Sequence, residues 1–160
     1  MSDPNTHAPR ISPARAYGLA KPVLAAITDL SAAVKACGLE NSLLELVKLR
    51  ASQINGCAYC VQMHAVDARK EGETEDRLQL LAVWPEAPVF TPRERAALAW
   101  TEALTRLSTG PVSDALYAEV SANFSEAEIV NLTAAVGLIN MYNRFGAPLR
   151  YPPAVSKVAA

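Results

Sequence analysis

The chain has 160 residues, of which 51% are hydrophobic, and a formal net charge of −1. This length and apolar content suffice for one domain with its own hydrophobic core. A charge close to zero, with no basic patch, argues against nucleic acid and anionic membranes as partners. No segment reaches the roughly 18 consecutive apolar residues that span a bilayer, and the N-terminus lacks the apolar region of a secretion signal. We therefore expect a cytoplasmic protein.

Helical periodicity and capping residues predict an all-α, single-domain fold of about six or seven helices. No stretch alternates as a β-strand does. Residues 1–16 hold three prolines and few apolar positions, so we expect a flexible or extended arm. Residues 17–147 should form the domain, and residues 148–160 an extended tail. The predicted helices, in chain order, cover residues 22–37, 42–54, 57–70, 73–83, 91–107, 113–120 and 125–145.

The most informative stretch holds two cysteines and a histidine. Cys57 and Cys60 form a C-x-x-C pair, and His64 follows four residues after the second cysteine. On a helix, positions i, i+3 and i+7 share one face, so these three side chains should converge. The same spacing predicts that Tyr59 points away from them. A third cysteine, Cys37, has no such neighbours in sequence and is expected to act as a small buried hydrophobe.

Glu45 has two interpretations. Ser42-x-x-Glu45 matches a capping box at the start of a helix, in which the glutamate side chain binds the backbone. Alternatively, if the helices on either side of Asn55-Gly56 pack as an antiparallel pair, Glu45 lies far from the turn. Its partner would then be His64 rather than Cys57.

Two cysteines and a histidine at this spacing suit dithiol chemistry of the peroxidase type. A thiolate is the reactive form of cysteine, and the N-terminus of a helix stabilises it. Cys57 and Cys60 are spaced to form a disulfide, and His64 can accept or donate a proton. When one thiolate attacks the O–O bond of a peroxide, a sulfenic acid forms and the second cysteine resolves it. A separate reductant must then restore the dithiol.

Other readings of this cysteine motif are weaker but remain open. A zinc site needs four ligands, and the only further histidine is His7 in the predicted arm, so we expect no metal. A thioredoxin-like motif needs a βαβ setting, whereas this chain is helical on both sides. A pair of buried structural cysteines is the plain alternative. Apart from the redox-active disulfide itself, no cofactor is expected.

These residues resemble the carboxymuconolactone decarboxylase superfamily, in its alkylhydroperoxidase D-like branch. The matching signature is a glutamate, eleven residues, C-x-x-C, three residues and a histidine, here Glu45, Cys57, Cys60 and His64. The segments LRASQINGCAYCVQMH, FTPRERAALAWTEALT and FSEAEIVNLTAAVGLINMYNR also resemble it, so the likeness runs from about Leu19 to Arg144.

The resemblance implies an all-helical protein that assembles as an obligate homo-oligomer (a dimer, trimer or hexamer) and acts as a cysteine peroxidase. It implies that Cys60 attacks the peroxide and that Cys57 resolves the sulfenic acid. Glu45 and His64 would relay protons through water. The partners would be a peroxide substrate and an external thiol or dithiol reductant.

Two features qualify the function. The best-known family pattern has a histidine where this chain has Tyr59, and a tyrosine is no base near neutral pH; Tyr59 is therefore a candidate pocket residue. The decarboxylase branch lacks the cysteine pair, which disfavours lactone decarboxylation. A non-peroxidase disulfide-redox or redox-sensing oligomer remains the alternative.

A polar cluster, NMYNR, lies late in an otherwise apolar helix. Asn140, Asn143 and Arg144 share one face there. The favoured interpretation of these polar residues is a solvated helix end or a subunit contact. The functional reading is that Asn143 or Arg144 borders the thiol pocket.

Overall fold

The computed structural model describes residues 8–154, which form eight α-helices, two short 3₁₀ turns and no β-strand. The 3₁₀ turns cover Leu81–Glu86 and Leu107–Thr109. None of the described helices is both long and apolar enough to cross a bilayer. The predicted all-α class is confirmed, with one helix more than the sequence predicts. The helices are α1 (Pro13–Leu19), α2 (Lys21–Lys35), α3 (Asn41–Ile54), α4 (Ala58–Lys70), α5 (Glu75–Leu80), α6 (Pro92–Thr105), α7 (Asp114–Ser121) and α8 (Glu126–Gly146).

The additional helix is α1, and it corrects part of the predicted arm. Ser12 caps α1 by accepting a hydrogen bond from the amide of Arg15, and Pro13 stands in the first turn. Proline suits that position because its missing N–H would have no partner there and its φ is already helical. Residues 13–16 are therefore helical rather than extended. Residues 1–7 of the predicted arm, and 155–160 of the predicted tail, lie outside the described residues.

The start of α3 also differs from the sequence expectation. Its N-cap is Glu40, which makes no side-chain capping bond, so Ser42 and Glu45 do not form the predicted capping box. The capping interpretation of Glu45 is wrong because its carboxylate binds the side chains of His64 and Lys48. Further along, the helix predicted over residues 73–83 is shorter, since α5 ends at Leu80 and a 3₁₀ turn follows.

Helix α3 lies at the centre of the core. Leu44 and Val47 belong to one apolar cluster, which joins α3 to α2, α6, α7 and α8. Leu46 and Leu49 belong to a second cluster, with α4, α5 and α6. All four side chains are at most 2% exposed. Since a helix buried on several sides is held by packing rather than by its caps, the missing capping box costs α3 little.

A tight turn joins α3 to α4 and brings the two helices side by side. Gly56 has a φ of +65°, the left-handed region that glycine adopts without steric cost. The amide of Cys57 donates to the carbonyl of Ser52 across this turn. Cys57 is the N-cap of α4, and its sulfur accepts a hydrogen bond from the amide of Cys60 at 3.3 Å.

The last helix holds this turn in place through Asn143. This side chain is 2% exposed. Its Oδ1 accepts a hydrogen bond from the side-chain Nδ2 of Asn55 at 2.8 Å, and its Nδ2 donates one to the hydroxyl of Ser52 at 3.0 Å. Both partners belong to the end of α3 and the turn that follows it. Asn143 therefore ties α8 to the turn that presents Cys57.

We predict that Asn143→Ala lowers the free energy of unfolding by about 1–3 kcal/mol, because the variant loses two buried hydrogen bonds, to Asn55 and Ser52, that hold α8 against the turn. Urea denaturation would measure the loss. The matched control is Arg144→Ala on the same helix, since Arg144 is exposed and binds only Asn140 of its own helix. The free energy of unfolding of Arg144→Ala should stay within about 0.5 kcal/mol of the parent value. Equal losses in the two variants would contradict the role given to Asn143.

Candidate functional site

Cys57 and Cys60 form a disulfide at the start of α4, with their Cα atoms 5.3 Å apart. Both residues are buried, at 0% and 2% exposure. Cys37, the third cysteine, is a free thiol that packs at the edge of the first apolar cluster. The pairing agrees with the C-x-x-C spacing, and it leaves Cys37 outside the site.

His64 and Glu45 meet between α4 and α3. The Nδ1 atom of His64 lies 2.8 Å from Oε2 of Glu45. This is the contact that antiparallel packing of the two helices predicts. Lys48, one turn further along α3, donates to the other carboxylate oxygen at 2.5 Å. Glu45 is therefore held by one partner on each oxygen.

The electrostatics of this group favour an ionised glutamate. Burial raises the pKa of Glu45, but the hydrogen bonds from His64 and Lys48 outweigh that effect and leave the pKa below its usual value. An ionised carboxylate only accepts hydrogen bonds, so Nδ1 of His64 carries the proton of their shared bond. The Nε2 atom of His64 is then the ring nitrogen left for other chemistry.

Nε2 of His64 is unusual among the described residues. It is the one buried side-chain nitrogen or oxygen there without a hydrogen-bond partner. Burying a polar group without a partner costs free energy, and such groups in native structures commonly serve a function. Since Nδ1 is already engaged by Glu45, the ring is oriented and only Nε2 can exchange a proton with a bound molecule.

A cavity of about 420 Å³ reaches Cys60 and this network. Cys60 and His64 line it, whereas Cys57 does not. Of the two sulfur-bearing residues, only Cys60 therefore faces a space large enough for a small organic molecule. Most of the remaining wall is apolar or aromatic. The other residues that line the cavity are Ser31, Lys35, Glu45, Lys48, Tyr59, Met63, Asp67, Leu138, Ile139, Tyr142, Phe145 and Tyr151.

Tyr59 lines this cavity, which corrects the expectation that it points away from the cysteines and the histidine. Its ring meets the ring of Tyr151 edge to face, with centroids 5.8 Å apart. Burial and the neighbouring Tyr59 raise the pKa of Tyr151. Helical spacing misplaces Tyr59 because Cys57 caps α4 instead of lying within it, and because the chain after α8 adds a wall at this point.

Asn140, Asn143 and Arg144 of the polar cluster late in α8 do not line the cavity, although Tyr142 of the same segment does. Asn143 is buried behind the turn before Cys57, and Arg144 lines a separate groove with Asn140, Leu107 and Met141. The functional interpretation, in which Asn143 or Arg144 borders the thiol pocket, is therefore wrong. Their spacing in the sequence shows that they share a face, but only packing determines which neighbour that face meets.

Within residues 8–154, one group of side chains has donor atoms close enough for a metal ion. Glu45, His64 and Asp67 bring ligand atoms within 4.8 Å of one another. Lys48 and Lys70 form ion pairs with the two carboxylates, however, at 2.5 and 2.7 Å. These lysines already neutralise the charge that would attract a cation. The donor set fits a hydrogen-bonded proton relay better than a metal centre.

The sequence interpretation missed three residues of the site. Lys48 could have been found, because it lies three residues after Glu45 and so on the same face of α3. Tyr151 lies in the predicted tail, and no local pattern connects it to the cysteines. Gly146 lies against the disulfide, and no local pattern connects it to the cysteines either.

The comparisons with known proteins identify the family of this chain. Residues 21–103 match the model of the carboxymuconolactone decarboxylase family, and this range contains all four signature residues. The chain is 38% identical over 128 residues to the uncharacterized protein YdfG of Bacillus subtilis, spanning 80% of this chain and 87% of that protein.

The solved structures that resemble the fold include the following two. A protein of unknown function from Agrobacterium tumefaciens, described as a candidate antioxidant defence protein AhpD, is 38% identical. It superposes with a TM-score of 0.88 over 93% of this chain and all of that one. The debrominase Bmp8, in complex with 2,3,4-tribromopyrrole, is 17% identical with a TM-score of 0.73, over 84% and 72% of the two chains. At this identity the second likeness shows only a shared fold.

The family match, the identity to these relatives and the arrangement of glutamate, cysteine pair and histidine agree with one another. The chain belongs to the carboxymuconolactone decarboxylase family, in its alkylhydroperoxidase D-like branch.

Proposed function

We propose that this protein is a thiol-dependent peroxidase that reduces organic or hydrogen peroxides with the Cys57–Cys60 pair. The observation that supports this most strongly is that Cys60 and His64 line one cavity, while Nε2 of His64 is buried without a partner. A nucleophilic sulfur and an oriented base are thereby presented to the same bound molecule. The membership of an antioxidant-type branch agrees with this chemistry.

The reaction begins with the reduced pair. The thiolate of Cys60 attacks one peroxide oxygen, the O–O bond breaks, and the other oxygen leaves as an alcohol or water after it takes up a proton. Cys60 is then a sulfenic acid. The thiol of Cys57 attacks its sulfur, releases water and forms the disulfide, which is the state of the structure. An external thiol or dithiol returns two electrons and two protons to restore the pair.

His64 and Glu45 supply the proton transfers. Nε2 of His64 takes the proton from the thiol of Cys60, directly or through water, and returns a proton to the leaving oxygen. The ionised Glu45 stabilises the imidazolium that forms between these steps. Lys48 holds the second oxygen of Glu45 and keeps the carboxylate in position. The relay therefore requires both the charge and the placement of Glu45.

The cavity favours organic over inorganic peroxides. Leu138, Ile139 and Phe145 form much of its wall, and apolar walls bind the hydrocarbon part of a ligand. A volume of about 420 Å³ holds far more than hydrogen peroxide. Tyr59 stands where the best-known family pattern has a histidine, so it can donate a hydrogen bond to a peroxide but does not add a second base.

The alternative is a disulfide-redox or redox-sensing protein without peroxide turnover. The buried disulfide supports a redox-sensing protein equally well. That alternative, however, gives no role to the cavity or to the partnerless nitrogen of His64. Lactone decarboxylation is a weaker candidate because that branch works without the cysteine pair, and such activity would survive alkylation of both thiols.

We place the peroxidase cycle in the cytoplasm, where thiol reductants are plentiful.

The first test is the Cys60→Ser variant. Peroxide consumption with a dithiol donor should fall to background, because the attacking sulfur is lost, while Cys57→Ser should allow the attack but block disulfide formation. Consumption of cumene hydroperoxide in the presence of dihydrolipoamide would measure this, with Cys37→Ser as the control that leaves the site intact. Turnover by Cys60→Ser at the parent rate would contradict the proposal. A disulfide that forms reversibly without turnover in the parent would favour the sensing alternative.

The second test separates the charge of Glu45 from its position. Glutamine keeps the shape and can still accept the hydrogen bond from Nδ1, but it cannot stabilise an imidazolium. We expect Glu45→Gln to lower the rate of thiol oxidation by peroxide by at least about tenfold, and His64→Ala to lower it further. Stopped-flow oxidation of the reduced protein gives this rate.

Stability against pH provides an independent control for that variant. Because the pKa of Glu45 is lowered in the fold, its contribution to stability is present above the usual glutamate pKa of about 4.3. It is lost as the pH falls through the lowered value. The stability gap between the parent and Glu45→Gln should therefore narrow in acid. A gap that is constant with pH would contradict the ionised state assigned to Glu45.

We also propose a homo-oligomer, supported by an apolar groove between α2 and α8. Val23, Leu30 and Met141 line it and are 58%, 40% and 36% exposed. Burying such a face against a second copy is favourable.

Light scattering should accordingly give the parent a mass above that of one chain. Leu30→Glu should reduce this mass, because it places a charge in the proposed contact. Thr28→Glu should not, since Thr28 is exposed on α2 outside the groove. A monomeric parent would refute the assembly proposal without bearing on the chemistry.

A further inference from the structure

The end of α8 lies against the disulfide at Gly146. A Cβ atom at this position would be 2.5 Å from the sulfur of Cys57 and 3.0 Å from that of Cys60. Gly146 is buried, and neither sulfur is the end of a long flexible side chain that could move aside. The disulfide therefore occupies the volume in which any other residue would place its side chain.

Backbone conformation does not explain this glycine. Gly38, Gly56 and Gly72 have positive φ angles, which favour glycine. Gly146 does not, since it is the last residue of a regular helix. Gly137 of the same helix has no atom within 4 Å of its Cβ position. Contact with the two sulfurs distinguishes Gly146 from the other glycines of the described chain.

We propose that Gly146 is a positioning residue for the Cys57–Cys60 couple, and that its missing side chain favours the disulfide over the dithiol. The proposal rests on the redox cycle of the proposed function. It adds a residue that shifts the equilibrium between the dithiol and the disulfide. A disulfide fixes both sulfurs against position 146 at once. In the dithiol each sulfur can change rotamer independently, so the reduced pair can make room for a methyl group there.

Redox equilibrium is the direct measurement. The disulfide takes up two electrons and two protons from dithiothreitol, which becomes its cyclic disulfide, and alkylation with a mass tag counts the thiols at each reductant ratio. Overpacking a filled site changes an equilibrium constant by roughly tenfold, so in Gly146→Ala we expect a shift of about that size toward the dithiol. A Cys37→Ser background removes the third thiol from the count.

Gly137→Ala is the matched control. It adds the same methyl group to the same helix, away from the sulfurs, and should leave the redox equilibrium at the parent value. If Gly146→Ala also leaves it unchanged, or shifts it toward the disulfide, the proposal is overturned. The measurement uses no peroxide, so a parent that lacks peroxidase activity would refute the proposed function without refuting this role.

A second background covers the case in which Gly146→Ala does not fold. Cys57→Ala removes the sulfur that the added methyl would meet at 2.5 Å. In that background, Gly146→Ala should lower the melting temperature by much less than it does in the oxidised parent. An equal loss in both backgrounds, or failure to fold in both, would show a general packing role and overturn the proposal.

Discussion

Burial of α3 is the constraint on which the rest of the structure depends. Its apolar side chains belong to both core clusters, so the other helices are positioned by packing against it. The same helix carries Glu45 and Lys48 on the side that meets α4. The hydrophobic effect that builds the core thereby also fixes where the carboxylate of the site can lie.

Placement in this core determines the chemistry of Glu45. A buried carboxylate without partners would take up a proton, because its charge is poorly solvated. Lys48 and His64 prevent this by binding one oxygen each. These two hydrogen bonds thus offset the cost of burying the carboxylate. The bond with His64 also orients the imidazole. The same three side chains therefore satisfy the buried carboxylate and form the relay of the proposed mechanism.

The C-terminal part of the chain completes the site around the cysteines. Asn143 holds the turn before Cys57, Gly146 allows α8 to touch the disulfide, and Tyr151 closes the cavity beside Tyr59. These residues are about 90 positions away from the cysteine motif in sequence. The asymmetry that exposes Cys60 to the cavity while Cys57 is enclosed arises from this packing and not from the motif itself.

The sequence by itself determined the helical class, most helix positions, the pairing of Cys57 with Cys60 and the convergence of His64 with them. These follow from local periodicity and from the short turn between two helices, which bring nearby residues together. Only the tertiary structure decided that Glu45 binds His64 instead of capping α3, that Tyr59 lines the cavity, and that Asn143 and Arg144 do not. Each of these outcomes depends on which distant helix packs against a given face, and local spacing carries no information about that choice.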